Sequence, residues 1–184
     1  MSSVKKIIIW IITLAIIFAG LYAYFGGFNK IEIKTLNYGG EKIISKPLKG
    51  DISAVGELSN SIAEELSSEY DITNYKKVVI YYNNQEDEAS NLKADVGCLA
   101  EDVSHNRLEQ ASKTFELKTI PKREYLVIEF PYRGYFSSII GKRRVYPKIE
   151  EYLLNNNYAE NTPLIEIYDS EKGIITYRKA LKKK

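Results

Sequence analysis

The chain begins with an uninterrupted apolar run. Residues 7–25, IIIWIITLAIIFAGLYAYF, contain no charged side chain. At the rise of an α-helix, a run of this length crosses the hydrocarbon core of a bilayer. We therefore predict a membrane anchor in residues 1–30, with the helix at about 7–25 and a glycine-containing connector after it. A cleaved signal peptide is the alternative, but it has a shorter apolar core and a small-residue cleavage site, which this run does not show convincingly.

The charges that flank the run do not specify its orientation. Lys5 and Lys6 precede it, and Lys30 and Lys34 follow it. Because the positive-inside rule compares basic residues on the two sides, this balance favours neither orientation. The prediction is a single-pass membrane protein whose partner at residues 7–25 is the lipid bilayer, with the side of the remaining domain left open.

After the connector, one pattern occurs twice. IEIKTL at residues 31–36 and FELKTI at residues 115–120 lie 84 positions apart. Both alternate apolar and polar residues, which predicts strands. Each is followed by a stretch of helical periodicity and by further strand-like runs. We predict an α+β domain over residues 31–184, made of two β-α-β-β repeats at about 31–100 and 115–181, with antiparallel sheets and a central cleft.

Each repeat is expected to contain one amphipathic helix. Apolar residues recur at helical spacing over residues 51–69 and about 137–155. Pro147 is expected to kink the second helix or divide it in two. KPLKG at residues 46–50 has the composition of a turn, and the polar stretch at residues 101–114 is predicted to connect the repeats.

Composition excludes several kinds of chemistry. Residues 31–184 hold all 24 acidic residues and 23 of the 26 basic ones, a formal charge of −1, so no nucleic-acid footprint is present. Cys98 is the only cysteine and His105 the only histidine. An intrachain disulfide, a cysteine-rich zinc site and a histidine triad are therefore unavailable. We predict no cofactor, no metal ligand and no catalytic residue.

The two repeats differ at one informative position. Glu166 and Tyr168 of the run LIEIY share a strand face and correspond to Ile80 and Tyr82 of the first repeat. In an aromatic-lined cleft, the Glu166 carboxylate would meet a cationic ligand on which the two phenols stack. Tyr132, in the turn PYRG, is expected to close one end of this cleft or to lie on the surface. The alternative for Glu166 is a half-exposed strand position paired with a nearby Lys or Arg.

Four phrases in order, VVIYYNN, ADVGCLAED, FPYRGYFSSIIGKRRVYPKIEEYL and LIEIY, give the repeated unit a family resemblance. It resembles the GyrI-like domain, which is also the effector-binding domain of bacterial multidrug-sensing transcription regulators. The resemblance covers nearly all of residues 31–181. More narrowly, the chain is similar to the membrane-anchored branch that includes the animal testis-expressed receptor for endoplasmic-reticulum autophagy.

This resemblance implies two β-α-β-β units around a central cleft that binds organic, often cationic or aromatic, small molecules. Residues 31–184 would then form a GyrI-like domain. The anchor occupies the place of a helix-turn-helix, which argues against a DNA-binding regulator. The acidic tail with which the animal receptor binds an adaptor has no counterpart after the last predicted strand, so that receptor's partner binding is not carried over and the protein partner is left open.

Three hypotheses for the function follow. The leading one is a membrane-anchored small-molecule (effector) binding domain without catalysis, because no nucleophile-plus-base arrangement is visible. The second, also implied by the resemblance, is a hydrolase of reactive cyclopropane-type small molecules that uses Glu166. The third is a membrane-tethered adaptor similar to the autophagy receptor.

Overall fold

The computed structural model describes residues 3–73, 75–83, 91–101 and 103–184. These residues form four helices and eight strands. The helices are α1 (Ser3–Tyr24), α2 (Ala54–Tyr70), α3 (His105–Ala111) and α4 (Tyr135–Asn155). The strands are β1 (Lys34–Tyr38), β2 (Lys42–Gly50), β3 (Lys76–Tyr81), β4 (Leu92–Leu99), β5 (Glu116–Thr119), β6 (Arg123–Pro131), β7 (Leu164–Asp169) and β8 (Ile174–Ala180).

These eight strands form one antiparallel sheet. Their order is β1-β6-β8-β7-β3-β4-β2-β5. If each of β1 to β4 is exchanged with its counterpart among β5 to β8, the result is the same order read from the other edge of the sheet. The two halves of the chain therefore occupy equivalent places in the sheet. The predicted α+β class with antiparallel pairing is confirmed. Each half has two strands before its helix, so the unit is β-β-α-β-β.

The two similar strands at the start of each half are exchanged between the halves. Strand β1 pairs with β6, and β5 pairs with β2. Lys34 lies opposite Val127, and Lys118 lies opposite Ile43. Since Ile43 and Val127 are themselves 84 residues apart, both outer strands have the same register.

Helices α2 and α4 cover the same face of the sheet. Ile62 and Leu66 of α2 are fully buried against β3 and β4, and Val145 and Leu153 of α4 are buried against β6 and β8. Burying an apolar side chain of this size contributes about 1.5–3 kcal/mol. The amphipathic pattern of both helices is therefore used for packing on the sheet.

The opposite face of the sheet buries its own apolar side chains, and none of the four helices of the described residues packs on it. Val78 and Ile80 of β3 lie opposite Ile167 and Ile165 of β7. They share one buried cluster with Tyr125 and with further residues of both halves. The sheet curls around this cluster, which removes these side chains from water.

The residues KPLKG form the second half of strand β2 and not a turn, so that part of the prediction is wrong. Pro47 lies opposite Asp95 of β4. On its other side β2 pairs with β5 only from Lys42 to Ser45. Pro47 therefore lies where that edge of the strand is free, and its missing N–H interrupts no ladder. The first strand also begins later than predicted, at Lys34.

The structure adds detail to two expectations about helices. The connector at residues 101–114 contains helix α3, whose Leu108 and Ala111 are buried; a helix of seven residues has too few apolar positions for a clear periodicity. Of the two alternatives expected for Pro147, the division of the helix is wrong, because α4 continues through Pro147. Pro147 is exposed, so the backbone carbonyl that loses its partner there faces water.

Helix α1 lies outside the packed domain, with none of its residues buried. By length and composition it is the candidate membrane span among the described residues. Its C-terminal end is fixed to the domain near the start of α4. Arg133 donates a hydrogen bond to the carbonyl of Tyr24 at 2.5 Å, and Arg144 donates one to the carbonyl of Gly26 at 2.8 Å. Two guanidinium groups thus satisfy carbonyls at and just beyond the end of the helix.

Candidate ligand-binding site

The most unusual residue of the sheet is Glu166, a carboxylate that is completely buried. It lies in the middle of β7, opposite Val79 of β3 and Tyr177 of β8, on the face that the helices cover. An ionised group loses its hydration there, which is costly unless other groups compensate for it. The surroundings of Glu166 supply these groups.

Three tyrosine hydroxyls donate to the Glu166 carboxylate. Tyr168 donates to Oε2 at 2.6 Å, Tyr81 makes a longer contact to the same oxygen at 3.4 Å, and Tyr146 donates to Oε1. Burial, and next the negative charge of Glu166, raise the pKa of all three phenols well above the usual value. They therefore keep their protons at neutral pH and act as hydrogen-bond donors.

Lys142 of helix α4 supplies the opposite charge. Its Nζ lies 3.2 Å from Oε2 of Glu166 and donates to the hydroxyl of Tyr81 at 3.1 Å. The same ammonium lies 5.2 Å from the centroid of the Tyr81 ring. The side chain of Lys142 is 27% exposed, whereas that of Glu166 is 0% exposed. The lysine therefore reaches the carboxylate from the solvent side.

A cavity of about 390 Å³ lies beside this cluster, between α4 and the sheet. Tyr81 and Tyr146 line the cavity, and their hydroxyls contact Glu166 on the other side. Its apolar wall includes Ile149 and Leu164. The polar remainder of the lining consists of Tyr82, Asn83, Glu150, Glu160, Asn161, Thr162 and Lys179. A ligand in this cavity is one phenol layer away from a buried negative charge.

Of the four residues predicted from the sequence, Glu166 and Tyr168 lie together. Tyr132 contacts the ring of Tyr168 edge-on, with 5.4 Å between the centroids, so it adjoins the cluster. Tyr82 lies apart from the carboxylate: its hydroxyl donates to Asp95 at 2.5 Å. It is nevertheless part of the cavity lining.

The position of Tyr82 follows from the sheet register. On β3 the residues that share a face with Glu166 and Tyr168 are Val79 and Lys77, their pairing partners. Tyr81 is two positions after Val79 and lies on the same face, so its side chain is directed to the helix-covered face. The sequence comparison matched Tyr82 to Tyr168, which is one position away from this register and selects the wrong one of two adjacent tyrosines.

Sequence reasoning missed Tyr81, Tyr146 and Lys142. Tyr146 lies in the predicted second helix, and Lys142 lies in the basic run KRR at residues 142–144, so neither residue type stands out in the sequence. A usable signal existed in their spacing, because residues four apart on a helix lie on one face. That face is directed to the sheet through Val145 and Ile149, which are buried.

The geometry now has a counterpart among known proteins. The sequence matches the GyrI-like small molecule binding domain over residues 29–174. Because this match spans most of the chain, the protein belongs to that family. No protein with a curated description matches the sequence.

Solved structures with the same fold include those of two proteins. One is EcmrR in a complex with DNA, with 14% sequence identity and a TM-score of 0.60 over 98% of this chain and 70% of the other. The EcmrR C-terminal domain alone has 14% identity and a TM-score of 0.54 over 84% and 98% of the two chains. The second protein is SAV2435 bound to tetraphenylphosphonium, with 12% identity and a TM-score of 0.56 over 82% and 94%. These likenesses show the fold.

Proposed function

We propose that this protein is a membrane-anchored domain that binds small organic molecules, cationic or aromatic ones, through Glu166. The observation that carries the proposal is the completely buried Glu166 carboxylate, which three tyrosine hydroxyls contact beside a cavity. A well-packed apolar residue would stabilise this position of the sheet as well or better. The charge therefore serves recognition and not folding.

Size and lining of the cavity support this proposal. Ligand pockets are commonly about 300–1,000 Å³ and combine apolar walls with a few placed polar groups. The present cavity has that size and composition. The similar structure of SAV2435 holds tetraphenylphosphonium, a lipophilic cation. In this proposal Tyr168 orients the carboxylate, Tyr132 packs behind Tyr168, and Tyr82 contributes to the cavity wall.

Replacing Glu166 by Gln tests the role of the carboxylate. We expect Glu166→Gln to weaken the binding of tetraphenylphosphonium by about 30- to 150-fold, because a cation that moves the Tyr81 and Tyr146 hydroxyls aside gains a buried charge contact worth about 2–3 kcal/mol. The measurement is isothermal titration calorimetry on the full chain in lipid nanodiscs, with empty nanodiscs as the blank.

The matched control is Glu150→Gln. Glu150 lines the same cavity but is exposed. The variant therefore removes the same charge at a place where water screens that charge. We expect less than about a threefold change for this variant. Equal affinities for the wild type and Glu166→Gln would show that the carboxylate is not the ligand contact.

The membrane anchor is a second part of the proposal. It is supported by the 22 residues of α1, by their complete exposure, and by the two arginines that fix its end to the domain. An isolated apolar helix that leaves every side chain exposed is unfavourable in water and favourable in a bilayer. This arrangement agrees with the narrower resemblance to membrane-anchored members of the family.

Extraction of membranes at alkaline pH tests the anchor. We expect the full-length chain to stay in the membrane pellet, and the double variant Ile12→Lys, Ile16→Lys to appear in the soluble fraction. Each central lysine raises the cost of insertion by about 3 kcal/mol. An intact mass that lacks the residues of α1 would instead identify the helix as a cleaved signal sequence.

A further inference from the structure

The ion pair between Lys142 and Glu166 determines what a ligand meets at this site. With Nζ 3.2 Å from Oε2, the two side chains together have no net charge. A purely cationic ligand finds the place beside the carboxylate already taken by an ammonium. It must displace Lys142, and the lysine then has a positive neighbour.

The two partners differ in their freedom to move. Glu166 lies on a central strand, and three tyrosine hydroxyls fix its carboxylate. Lys142 is held by one carboxylate and one hydroxyl at the end of a flexible side chain that is partly exposed. When a ligand cation enters, the lysine is therefore the group that moves, and its ammonium needs a new partner.

A ligand that carries its own anion supplies this partner. Its cation replaces the ammonium at Glu166, and its anion receives the displaced ammonium of Lys142, so that both charges of the site stay paired. The cluster also offers an unused donor: the hydroxyl of Tyr177 is buried and has no hydrogen-bond partner among the described residues. Tyr177 lies opposite Glu166 in the sheet, and its hydroxyl borders Gly141, which precedes Lys142.

We propose that the site selects zwitterionic amphiphiles over simple cations, with Glu166 binding a quaternary ammonium and Lys142 the anionic group of the same molecule. This inference rests on the proposed function and names its ligand class. The apolar wall of the adjoining cavity receives the hydrocarbon part of the amphiphile. The tyrosine rings around the carboxylate suit an alkylated ammonium.

Three compounds with the same hexyl chain test the selectivity: hexylphosphocholine, hexyltrimethylammonium and hexyl phosphate. Their affinities are measured by calorimetry on the full chain in nanodiscs. For the wild type we expect hexylphosphocholine to bind about tenfold more tightly than either of the other two. In Lys142→Met we expect hexyltrimethylammonium to gain about tenfold and hexylphosphocholine to lose about tenfold, so the order reverses.

Lys148→Met is the matched control, because Lys148 lies on the same helix but pairs with Glu151 at the surface. It is expected to leave all three affinities unchanged. A second variant, Lys142→Gln, repeats the charge removal with a polar side chain, and an unchanged melting temperature shows that each variant is folded.

The outcomes separate the two proposals. If the wild type prefers hexyltrimethylammonium, or if Lys142→Met leaves the ratio of affinities unchanged while Glu166→Gln weakens both, the selectivity is refuted and Glu166 remains the ligand contact. If Glu166→Gln changes nothing, the proposed function itself fails. Weaker hexylphosphocholine binding in phosphatidylcholine nanodiscs than in phosphatidylglycerol nanodiscs would support a lipid headgroup as the ligand source, and equal binding would support a free zwitterion.

Discussion

Gly97→Ala is expected to lower the free energy of unfolding by more than about 4 kcal/mol, enough to unfold much of the protein. Gly97 lies in β4 between β2 and β3. A Cβ atom at this position would lie 2.0 Å from the carbonyl oxygen of Ile44 and 2.7 Å from Cα of Ser45. Both neighbours are backbone atoms of β2, so the clash is relieved only by moving a central strand.

The measurement is chemical denaturation of the full chain followed by circular dichroism. Gly56→Ala is the control, since an added Cβ at Gly56 meets nothing within 4 Å. Gly56 lies near the start of α2 and is exposed, so alanine there is expected to stabilise the protein by about 0.5–1 kcal/mol. An equal effect of the two variants would show that β2 and β4 do not approach as closely as described.

Lys179→Met is expected to stabilise the protein at neutral pH by about 2 kcal/mol and to remove part of the pH dependence of its stability. Burial lowers the pKa of Lys179 from 10.5 to about 8. Each pKa unit corresponds to about 1.4 kcal/mol, so keeping Lys179 protonated in the folded chain costs on the order of 3 kcal/mol of stability. Methionine removes this cost but also removes the hydrogen bond from Nζ to the carbonyl of Thr162, which is worth about 1 kcal/mol.

The sign of the pH effect follows from the two pKa values of Lys179. Between pH 8 and 10.5 the unfolded chain holds the lysine proton and the folded chain does not, so stability rises with pH in this window. From about pH 7.5 to about pH 9.5 the wild type should gain about 2 kcal/mol relative to Lys179→Met. Cys98 acts in the opposite direction above pH 9, because burial raises its pKa from 9.0 to about 12.

Because Cys98 is present in both proteins, the difference between wild type and variant isolates Lys179. Urea denaturation at several pH values measures this difference. Lys113→Met, which removes an exposed lysine after α3, should run parallel to the wild type. A constant difference between wild type and Lys179→Met across the window would contradict the lowered pKa.

The repeated alternation and the two amphipathic stretches were sufficient to predict the fold class. Alternation at IEIKTL and FELKTI depends only on the local sequence, and each segment overlaps a strand, β1 and β5. The pairing of each outer strand with the other half of the chain was not predictable. A strand has the same apolar pattern whether it pairs within its own half or with the other half. The domain limits and the internal duplication stay predictions, which the equivalent registers support.

The candidate site was predictable only in part. Glu166 was found because an acid replaced an apolar residue in a strand. The choice between Tyr81 and Tyr82 depended on an offset of one residue, which sequence similarity across a loop of changed length does not fix. The position of Lys142 depends on the rotation of a helix about its axis, which is set by packing against the sheet.

The exchange of the outer strands also controls when a growing chain can complete its structure. As the ribosome releases the first half, the segment of β1 has no partner, because β6 is synthesised only after α3 and β5. Strand β2 likewise keeps an open edge until β5 is made. Contacts between segments so distant in sequence form slowly, and unpaired edges favour aggregation in the meantime. A chain that stops early in its second half therefore presents an open β edge on β2, which can pair with another copy of the chain.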